Sequence, residues 1–151
     1  MSDITIRQAV LADLDELTLL FDLYRQFQGC ASDVAAARAF LLDRFNHGES
    51  VIFIAYIGNR PIGFTQLYPS FSSVSLARTF TLNDLFVHED ARRMGIASKL
   101  LDAATDYAKQ VGAIRVSLLA TITNETAQAL YAATGWKRDE QFYMYHFVIG
   151  R

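Results

Sequence analysis

Between positions 85 and 97 the chain reads Leu85-Phe86-Val87-His88-Glu89-Asp90-Ala91-Arg92-Arg93-Met94-Gly95-Ile96-Ala97. An apolar strand pattern runs through a short turn into the start of a helix with apolar residues at helical spacing. The first turn of a helix has backbone N–H groups without partners and about half a positive charge, so it favours phosphate. Gly95 and Ala97 add little bulk, while Arg92 and Arg93 add charge and donors. The stretch therefore indicates a strand–turn–helix unit that binds a phosphorylated ligand.

This unit lies within an alternating series of strands and helices. The predicted order is β-α-α-β-β-β-α-β-α-β, with strands over 4–7, 51–57, 62–68, 78–87, 114–120 and 141–148. Helices are predicted behind the capping residues Asp13 and Ser32, and over 95–111 and 125–134, with a polar loop over 69–77. Because a crossover helix joins strands 78–87 and 114–120, these two strands should be parallel. The sequence predicts an α/β (α+β) fold with a mixed central sheet of about six to seven strands and about four helices.

Composition bounds the class of protein. The length of 151 residues is typical of one domain, here taken as residues 1–151. The net charge of -2 argues against nucleic acid as a partner. No apolar run is long enough for a membrane span, and the first seven residues do not resemble a signal peptide. The lone cysteine, Cys30, indicates a reducing compartment, the cytoplasm, and the three histidines show no metal-ligand spacing.

A second pattern follows the strand over 114–120, namely Asn124-Glu125-x-Ala127-x-x-Leu130-Tyr131-x-x-x-Gly135-Trp136. Together with Arg92-x-x-Gly95-x-Ala97, this segment resembles the GNAT superfamily of N-acetyltransferases. In that family the first motif is the pyrophosphate loop for acetyl-CoA, and an Asn and a helical Tyr of the second flank the thiol end of the cofactor. The resemblance covers nearly the whole chain and is best over 82–147. The segment Leu82-Asn83-Asp84-Leu85-Phe86-Val87 also resembles the polyamine and diamine branch, and the small histone and polyamine acetyltransferases.

The resemblance implies transfer of an acetyl group from acetyl-CoA to a primary amine by direct attack in a ternary complex, without a metal. Backbone N–H groups of the strand that ends at Val87 would hold the pantetheine arm and polarise the acetyl carbonyl. The turn and the start of the helix would hold the diphosphate. The expected cofactor-binding residues are Leu85, Phe86, Val87, Arg92, Arg93, Met94, Gly95, Ile96, Ala97, Ser98, Asn124 and Ala127.

Two residues are expected to be catalytic. By resemblance, Tyr131 would donate a proton to the departing sulfur; the alternative is a core aromatic of a short helix. Asp84 is charged within an apolar strand, where a buried carboxylate is unusual unless it is paired or functional. It could bind the substrate ammonium or accept its proton through water, or it could make a structural hydrogen bond or salt bridge. Polyamine-type relatives often have an acidic residue before this Asp, whereas this chain has Asn83.

The acceptor site is expected between the early helices, the loop over 69–77 and the last strands. Its expected substrate-binding residues are Tyr24, Phe27, Asn83, Asp84 and Tyr143. A polyamine, an amino acid, and a lysine or N-terminal amine of a protein all remain open as acceptors. A non-catalytic acyl-CoA-binding module is a further alternative, and Asn124 could equally cap the following helix. The resemblance also implies a homodimer.

Overall fold

The computed structural model describes residues 3–151. Met1 and Ser2, which belong to the 1–151 domain and to the stretch compared with a signal peptide, lie outside the described residues. The chain divides into one compact unit that ends at Leu119 and a second unit over Ala120–Arg151. Each unit is described by itself.

The first unit is built on a sheet whose strands follow one another in chain order. They are β1 (Ile4–Gln8), β2 (Val51–Ile57), β3 (Arg60–Ser72), β4 (Ala77–Val87) and β5 (Arg115–Ser117). Pairing is antiparallel from β1 to β4, and β4 pairs with β5 in parallel. The parallel pair is the one predicted from the crossover helix.

Helices cover both faces of this sheet. These are α1 (Leu14–Phe27), α2 (Val34–Asn46) and α3 (Ile96–Gln110), while α4 (Glu125–Ala133) belongs to the second unit. Because strand residues alternate between faces, two cores form. The core beneath α1 and α2 includes Leu17, Leu41, Ile52, Ile54, Phe64 and Phe86. The core beneath α3 includes Phe53, Ala55, Ile62, Ile96 and Leu100. The predicted α/β class, with a mixed sheet and four helices, is confirmed for residues 3–151.

Two predicted helix caps were wrong. The side chain of Asp13 makes no cap hydrogen bond to α1; its carboxylate instead accepts from the Arg7 guanidinium and from the backbone N–H of Val10. The cap of α2 is Asp33, which accepts from the backbone N–H of Ala36. Ser32 donates to Asp22 instead. In both cases the side chain forms a hydrogen bond with a residue outside the helix start, so the local sequence pattern alone assigns the wrong cap.

The predicted polar loop over 69–77 was also wrong. β3 continues to Ser72 and β4 begins at Ala77, so that only residues 73–76 form the tip of the hairpin. Phe71 is opposite Arg78 in this extension, and the Arg78 guanidinium lies 4.8 Å from the centre of the Phe71 ring. Cross-strand pairing continues the ladder through serines that have low strand propensity.

The predicted last strand over 141–148 is absent, so the described residues contain five strands rather than six to seven. Past Trp136 the described backbone makes no backbone–backbone hydrogen bond. The alternation of aromatic residues predicted a strand, but a strand also needs a paired backbone, and none is present. β5 is likewise shorter than the predicted 114–120. Large side chains of this segment are exposed, among them Phe142, Tyr143, Tyr145 and Phe147.

Candidate active site

The turn before α3 exposes a helix N-terminus that has no side-chain cap. Gly95 is the N-cap with φ at +76°, and the preceding Arg93 also has a positive φ of 65°. No acidic residue occupies the first turn of α3. A Cβ on Gly95 would meet no heavy atom within 4 Å, so open space lies directly over the backbone there. The first N–H groups of α3 therefore have no side-chain cap, and binding of an anion by them stays a prediction.

The predicted phosphate-binding residues differ in what they can offer. Arg92, Arg93, Met94 and Gly95 are exposed, Ala97 and Ser98 are half-buried, and Ile96 is buried in the core. Ile96 can therefore contribute only its backbone. Arg93 makes no hydrogen bond or ion pair with any residue from 3 to 151, which leaves its guanidinium available for a ligand.

Arg92 ties the turn to the end of β4 and to α1. Its Nε donates to the backbone oxygen of Val87 at 3.1 Å, and its guanidinium lies 5.1 Å from the centre of the Phe27 ring. The Phe27 ring in turn lies 6.1 Å from that of Phe86. A cavity of about 170 Å³ opens here, lined by Leu23, Phe27, Phe86, His88, Glu89 and Arg92. The fold thus brings Phe27, expected at the acceptor, beside Arg92, expected at the cofactor.

The carboxyl-terminal half of β4 has a neighbouring strand on one side only. Its parallel pairing with β5 covers Thr79, Phe80 and Thr81, whereas its antiparallel pairing with β3 continues to Val87. Within the described residues, positions 82–87 therefore have an open edge on the β5 side. Backbone N–H groups on such an edge can bind an extended ligand as an added strand. Leu85, Phe86 and Val87, expected to hold the pantetheine arm, lie on this segment.

A buried carboxylate lies next to that open edge. Asp84 is only 5% exposed, and it accepts from Gln66 Nε2 at 2.7 Å and from Asn83 Nδ2 at 3.1 Å. Tyr24 also hydrogen-bonds to this carboxylate. Burial raises the pKa of Asp84 above its usual range, although the three hydrogen bonds oppose the shift. The predicted residues Tyr24, Asn83 and Asp84 thus form one hydrogen-bonded cluster around a buried carboxylate.

Gln66 was missed from the sequence. It is fully buried on β3 directly opposite Asp84, and its Oε1 has no hydrogen-bond partner among residues 3–151. A signal was available, because Gln66 interrupts the apolar strand pattern as Asp84 does on β4. On its own that pattern is also typical of a strand with one face in solvent.

The second unit contains the remaining predicted residues. Asn124 caps α4 by accepting from the backbone N–H of Ala127 at 3.1 Å, so its Oδ1 serves the helix. Tyr131 is half-buried on α4, its ring lies 6.2 Å from that of Trp136, and burial raises its pKa. Tyr143 is 90% exposed. The cap predicted as one alternative for Asn124 is therefore present.

Two further observations concern the described part of the chain alone. Residues 3–151 contain no group of three or more His, Cys, Asp or Glu side chains that could hold a metal ion. None of the helices described there has the length and apolar character needed to cross a membrane.

The uncapped start of α3 and the open edge of β4, within a mixed α/β sheet, are typical of proteins that bind an extended phosphorylated cosubstrate. The family model for the acetyltransferase (GNAT) family matches residues 17–136, and this chain belongs to that family. The chain is accordingly an acetyl-CoA-dependent acetyltransferase.

Several proteins are similar to this chain over much of its length. A protein of Bacillus subtilis (strain 168), named uncharacterized N-acetyltransferase YhfO, is 47% identical over 140 residues, which are 93% of this chain and 94% of the relative. A probable acetyltransferase of Haemophilus influenzae is 38% identical over 96 residues, 63% of this chain and 66% of the relative. The crystal structure of a probable acetyltransferase has a TM-score of 0.93 at 42% identity, covering 97% of this chain and 99% of the other.

Proposed function

We propose that this chain, as one domain over residues 1–151, transfers acetyl from acetyl-CoA to the primary amine of a small molecule. The acceptor is of the polyamine, amino acid or similar kind, and the amine attacks directly in a ternary complex. The observation that carries the proposal is the position of the Asp84 cluster. A buried carboxylate with a raised pKa lies on the same strand as the open edge at Leu85–Val87. A proton acceptor and an oxyanion site can thus act on one reacting centre.

Asp84 takes the proton that the ammonium must lose before it can attack. A raised pKa makes the carboxylate a better base, and general base catalysis is typically worth about 10²–10⁴ in rate. Tyr24, Asn83 and Gln66 hold the carboxylate in place. Backbone N–H groups among Leu85, Phe86 and Val87 stabilise the negative charge that develops on the acetyl oxygen, a contribution worth about 10²–10³.

Tyr131 supplies the proton that the leaving thiolate needs as the C–S bond breaks and the C–N bond forms. The phenol is protonated at neutral pH, because the ordinary tyrosine pKa of about 10 lies well above 7 and burial raises the pKa of Tyr131 further. The ammonium gives one proton to Asp84 before the attack, and the nitrogen loses a second proton as the amide forms. That second proton restores the Tyr131 phenol through water, and Asp84 returns its proton to solvent, so the products are the amide, the free thiol of coenzyme A and one proton. By resemblance to the family, Asn124 and Ala127 would contact the arm of the cofactor.

The diphosphate of acetyl-CoA fits the start of α3. Gly95 leaves open space over the backbone, and Arg93 has an unused guanidinium. Phosphate at such an N-terminus is favoured by the helix dipole and by free N–H groups. The backbone of Ile96, Ala97 and Ser98 would provide these donors.

We also propose a cytoplasmic homodimer. Exposed aromatic side chains of the second unit support an interface, because large exposed apolar patches mark association sites. The lone Cys30 supports a reducing compartment. Light scattering on the eluted protein should give twice the mass of one chain, and a monomer at every concentration would contradict the dimer.

The test is acetyl-CoA turnover with a panel of amines, read as thiol release. Acetyl-CoA at 100 times its Kd should first stabilise the fold by about 2.7 kcal/mol. That corresponds to a rise in Tm of about 5–10 °C. Release of thiol with a small amine is expected. Cofactor binding without turnover on any amine would overturn the proposal, and labelling of lysate proteins alone would indicate a protein acetyltransferase.

A further inference from the structure

A second cavity, of about 520 Å³, lies between α2 and β3. It is lined by Phe40, Arg44, Gly48, Glu49, Tyr68 and Pro69. Its volume is within the range of small-molecule sites, about 300–1,000 Å³. The phosphate turn and the open edge of β4 do not contribute to its lining, so the cofactor does not account for it.

Arg44 is the charged donor of this cavity, and most of its hydrogen-bonding capacity is unused. Its Nε donates to Glu49 Oε1 at 3.1 Å, and its guanidinium lies 4.4 Å from the centre of the Phe40 ring. The two terminal nitrogens make no hydrogen bond with any residue from 3 to 151. The two free terminal nitrogens form a planar fork, which suits bidentate binding of a carboxylate. Glu49 accepts a hydrogen bond from Nε alone, so the terminal nitrogens stay available. The negative charge of Glu49 disfavours binding of a dianionic ligand more than binding of a monoanionic one.

The same face of the sheet connects this cavity to Asp84. Side chains two apart on a strand share a face, so Tyr68 and Gln66 lie on the α2 side of β3, and Asp84 is opposite Gln66. Burial, with a further contribution from the Asp84 charge, raises the pKa of Tyr68 to about 12, while Arg44 opposes that rise. Tyr68 is thus within electrostatic reach of both groups.

Two buried polar atoms on this part of the sheet lack partners. Gln66 Oε1 and Ser50 Oγ have no hydrogen bond within residues 3–151. Ser50 directly precedes Val51, which pairs with Leu67, so it lies beside Tyr68 on the neighbouring strand. Buried polar atoms normally have partners, and a polar ligand that reaches this face would supply them. A ligand with only a hydrocarbon chain at this position would leave both atoms without a hydrogen bond.

We propose that the acceptor is an amino carboxylate whose amine reaches Asp84 and Gln66 while its carboxylate binds Arg44. The inference rests on the proposed acetyl transfer and names the class of its acceptor. Tyr68 lines the cavity together with Arg44 and lies about 7 Å along β3 from Gln66, and we take this distance as the separation of amine and carboxylate. With bonds of about 1.5 Å in a zigzag chain, roughly five or six bonds cover that distance. An ω-amino acid of lysine length therefore fits, and an α-amine beside its own carboxylate does not.

The test compares 6-aminohexanoate with 6-aminohexanamide, which have the same amine and length but differ in charge at the far end. Wild-type kcat/KM should be about 10- to 100-fold higher for the acid, the effect of a charge-assisted bond. In the Arg44→Gln variant the ratio of kcat/KM for the acid to kcat/KM for the amide should be close to one. In Arg44→Lys this preference for the acid should be partly retained. Arg38→Gln is the matched control, because Arg38 lies on the same helix but donates to Asp15 at 2.9 Å. The acid-to-amide ratio of kcat/KM in Arg38→Gln should equal that of the wild type.

Equal kcat/KM for acid and amide in the wild type would overturn the inference, as would an unchanged ratio in Arg44→Gln with a normal Tm. Turnover of other amines with neither compound accepted would overturn it as well, leaving acetyl transfer intact. Absence of turnover on every amine would instead overturn the proposed function and the inference with it.

Discussion

Asparagine at position 84 separates the catalytic role of the carboxylate from its effect on stability. The Asp84 carboxylate is 5% exposed and its pKa is raised, so its ionised form destabilises the folded state at neutral pH. The asparagine side chain would have the same size as the aspartate and would keep one oxygen that accepts hydrogen bonds. Rotation of the Gln66 amide would then turn its unpartnered Oε1 toward the new NH₂ group. A protein that loses its base can therefore keep its fold.

The expected magnitudes follow from the contacts. The three hydrogen bonds that Asp84 accepts would be made to a neutral group rather than to a charged one. Each change should lower the free energy of unfolding by about 1 kcal/mol. Removing a buried charge returns several kcal/mol. The net change in unfolding free energy for Asp84→Asn should thus stay within about 2 kcal/mol, or about 4–8 °C in Tm. Turnover should fall by about 10²–10⁴.

The pH dependence has a definite sign. Because the folded pKa of Asp84 is raised, its contribution to stability is complete below the unfolded value of about 3.9 and is lost as pH rises through the folded pKa. The stability of Asp84→Asn relative to wild type should therefore improve with rising pH over that window. Urea unfolding at several pH values, together with kcat, measures both effects.

Asp22 provides the matched control, because its side chain is about as buried as that of Asp84 but its pKa is lowered rather than raised. Its carboxylate accepts from Ser32 Oγ at 2.7 Å and from the backbone N–H of Asp33 at 2.8 Å, and these bonds lower its pKa. Asp22→Asn should lose about 1–3 kcal/mol at neutral pH. That loss should shrink as pH falls through the lowered pKa, and kcat should stay within about threefold. If Asp84→Asn unfolds easily and retains kcat, the reasoning about Asp84 is refuted.

Two further substitutions test other parts of the account. Tyr131→Phe should lower kcat by about 10²–10⁴ while the Kd of coenzyme A, measured by calorimetry, stays unchanged; full turnover would rule out the acid role. Gly63→Ala places a Cβ 2.8 Å from the backbone oxygen of Phe86. It should cost about 1–3 kcal/mol in urea unfolding, because backbone must move at the end of β4, and wild-type stability would contradict that close approach.

The sequence predicted those parts of the fold in which local pattern and tertiary partner agree. The apolar spacing of α3 and the glycines at its two ends gave its bounds to within a residue. The crossover rule gave the parallel pairing of β4 with β5. The charge of Asp84 inside an apolar strand predicted a buried carboxylate with hydrogen-bond partners, which the structure shows, while its catalytic role stays a prediction.

The failures have a common physical cause, which is that the deciding partner is distant in the sequence. The strand predicted over 141–148 has the alternation of a strand but no paired backbone. Gln66 resembles a solvent-facing strand residue in the sequence, but α1 packs against β3 and Gln66 is fully buried. Asp13 was assigned to a helix cap, yet the Arg7 guanidinium binds it at 2.7 Å. Periodicity cannot distinguish these cases, because it contains no information on what packs against each face.

The most direct test of the central claim concerns the amides at the start of α3. Gly95 and Gly112 lie at opposite ends of that helix with φ of 76° and 78°, and neither has a heavy atom near an added Cβ. Alanine at either position should therefore cost a similar amount of stability, about 1–2 kcal/mol.

The decisive quantity is the ratio of the Kd of pantetheine to that of coenzyme A. Pantetheine lacks both the diphosphate and the phosphoadenosine, so the change in this ratio between the two glycine variants reports on the diphosphate at the start of α3. Calorimetry on the wild type should give a ratio of at least about 100, equivalent to about 2.7 kcal/mol. We predict that Gly95→Ala lowers this ratio by at least about tenfold, since the methyl group occupies the space over the amides, and that Gly112→Ala leaves it unchanged. An unchanged ratio in Gly95→Ala would contradict diphosphate binding at this helix.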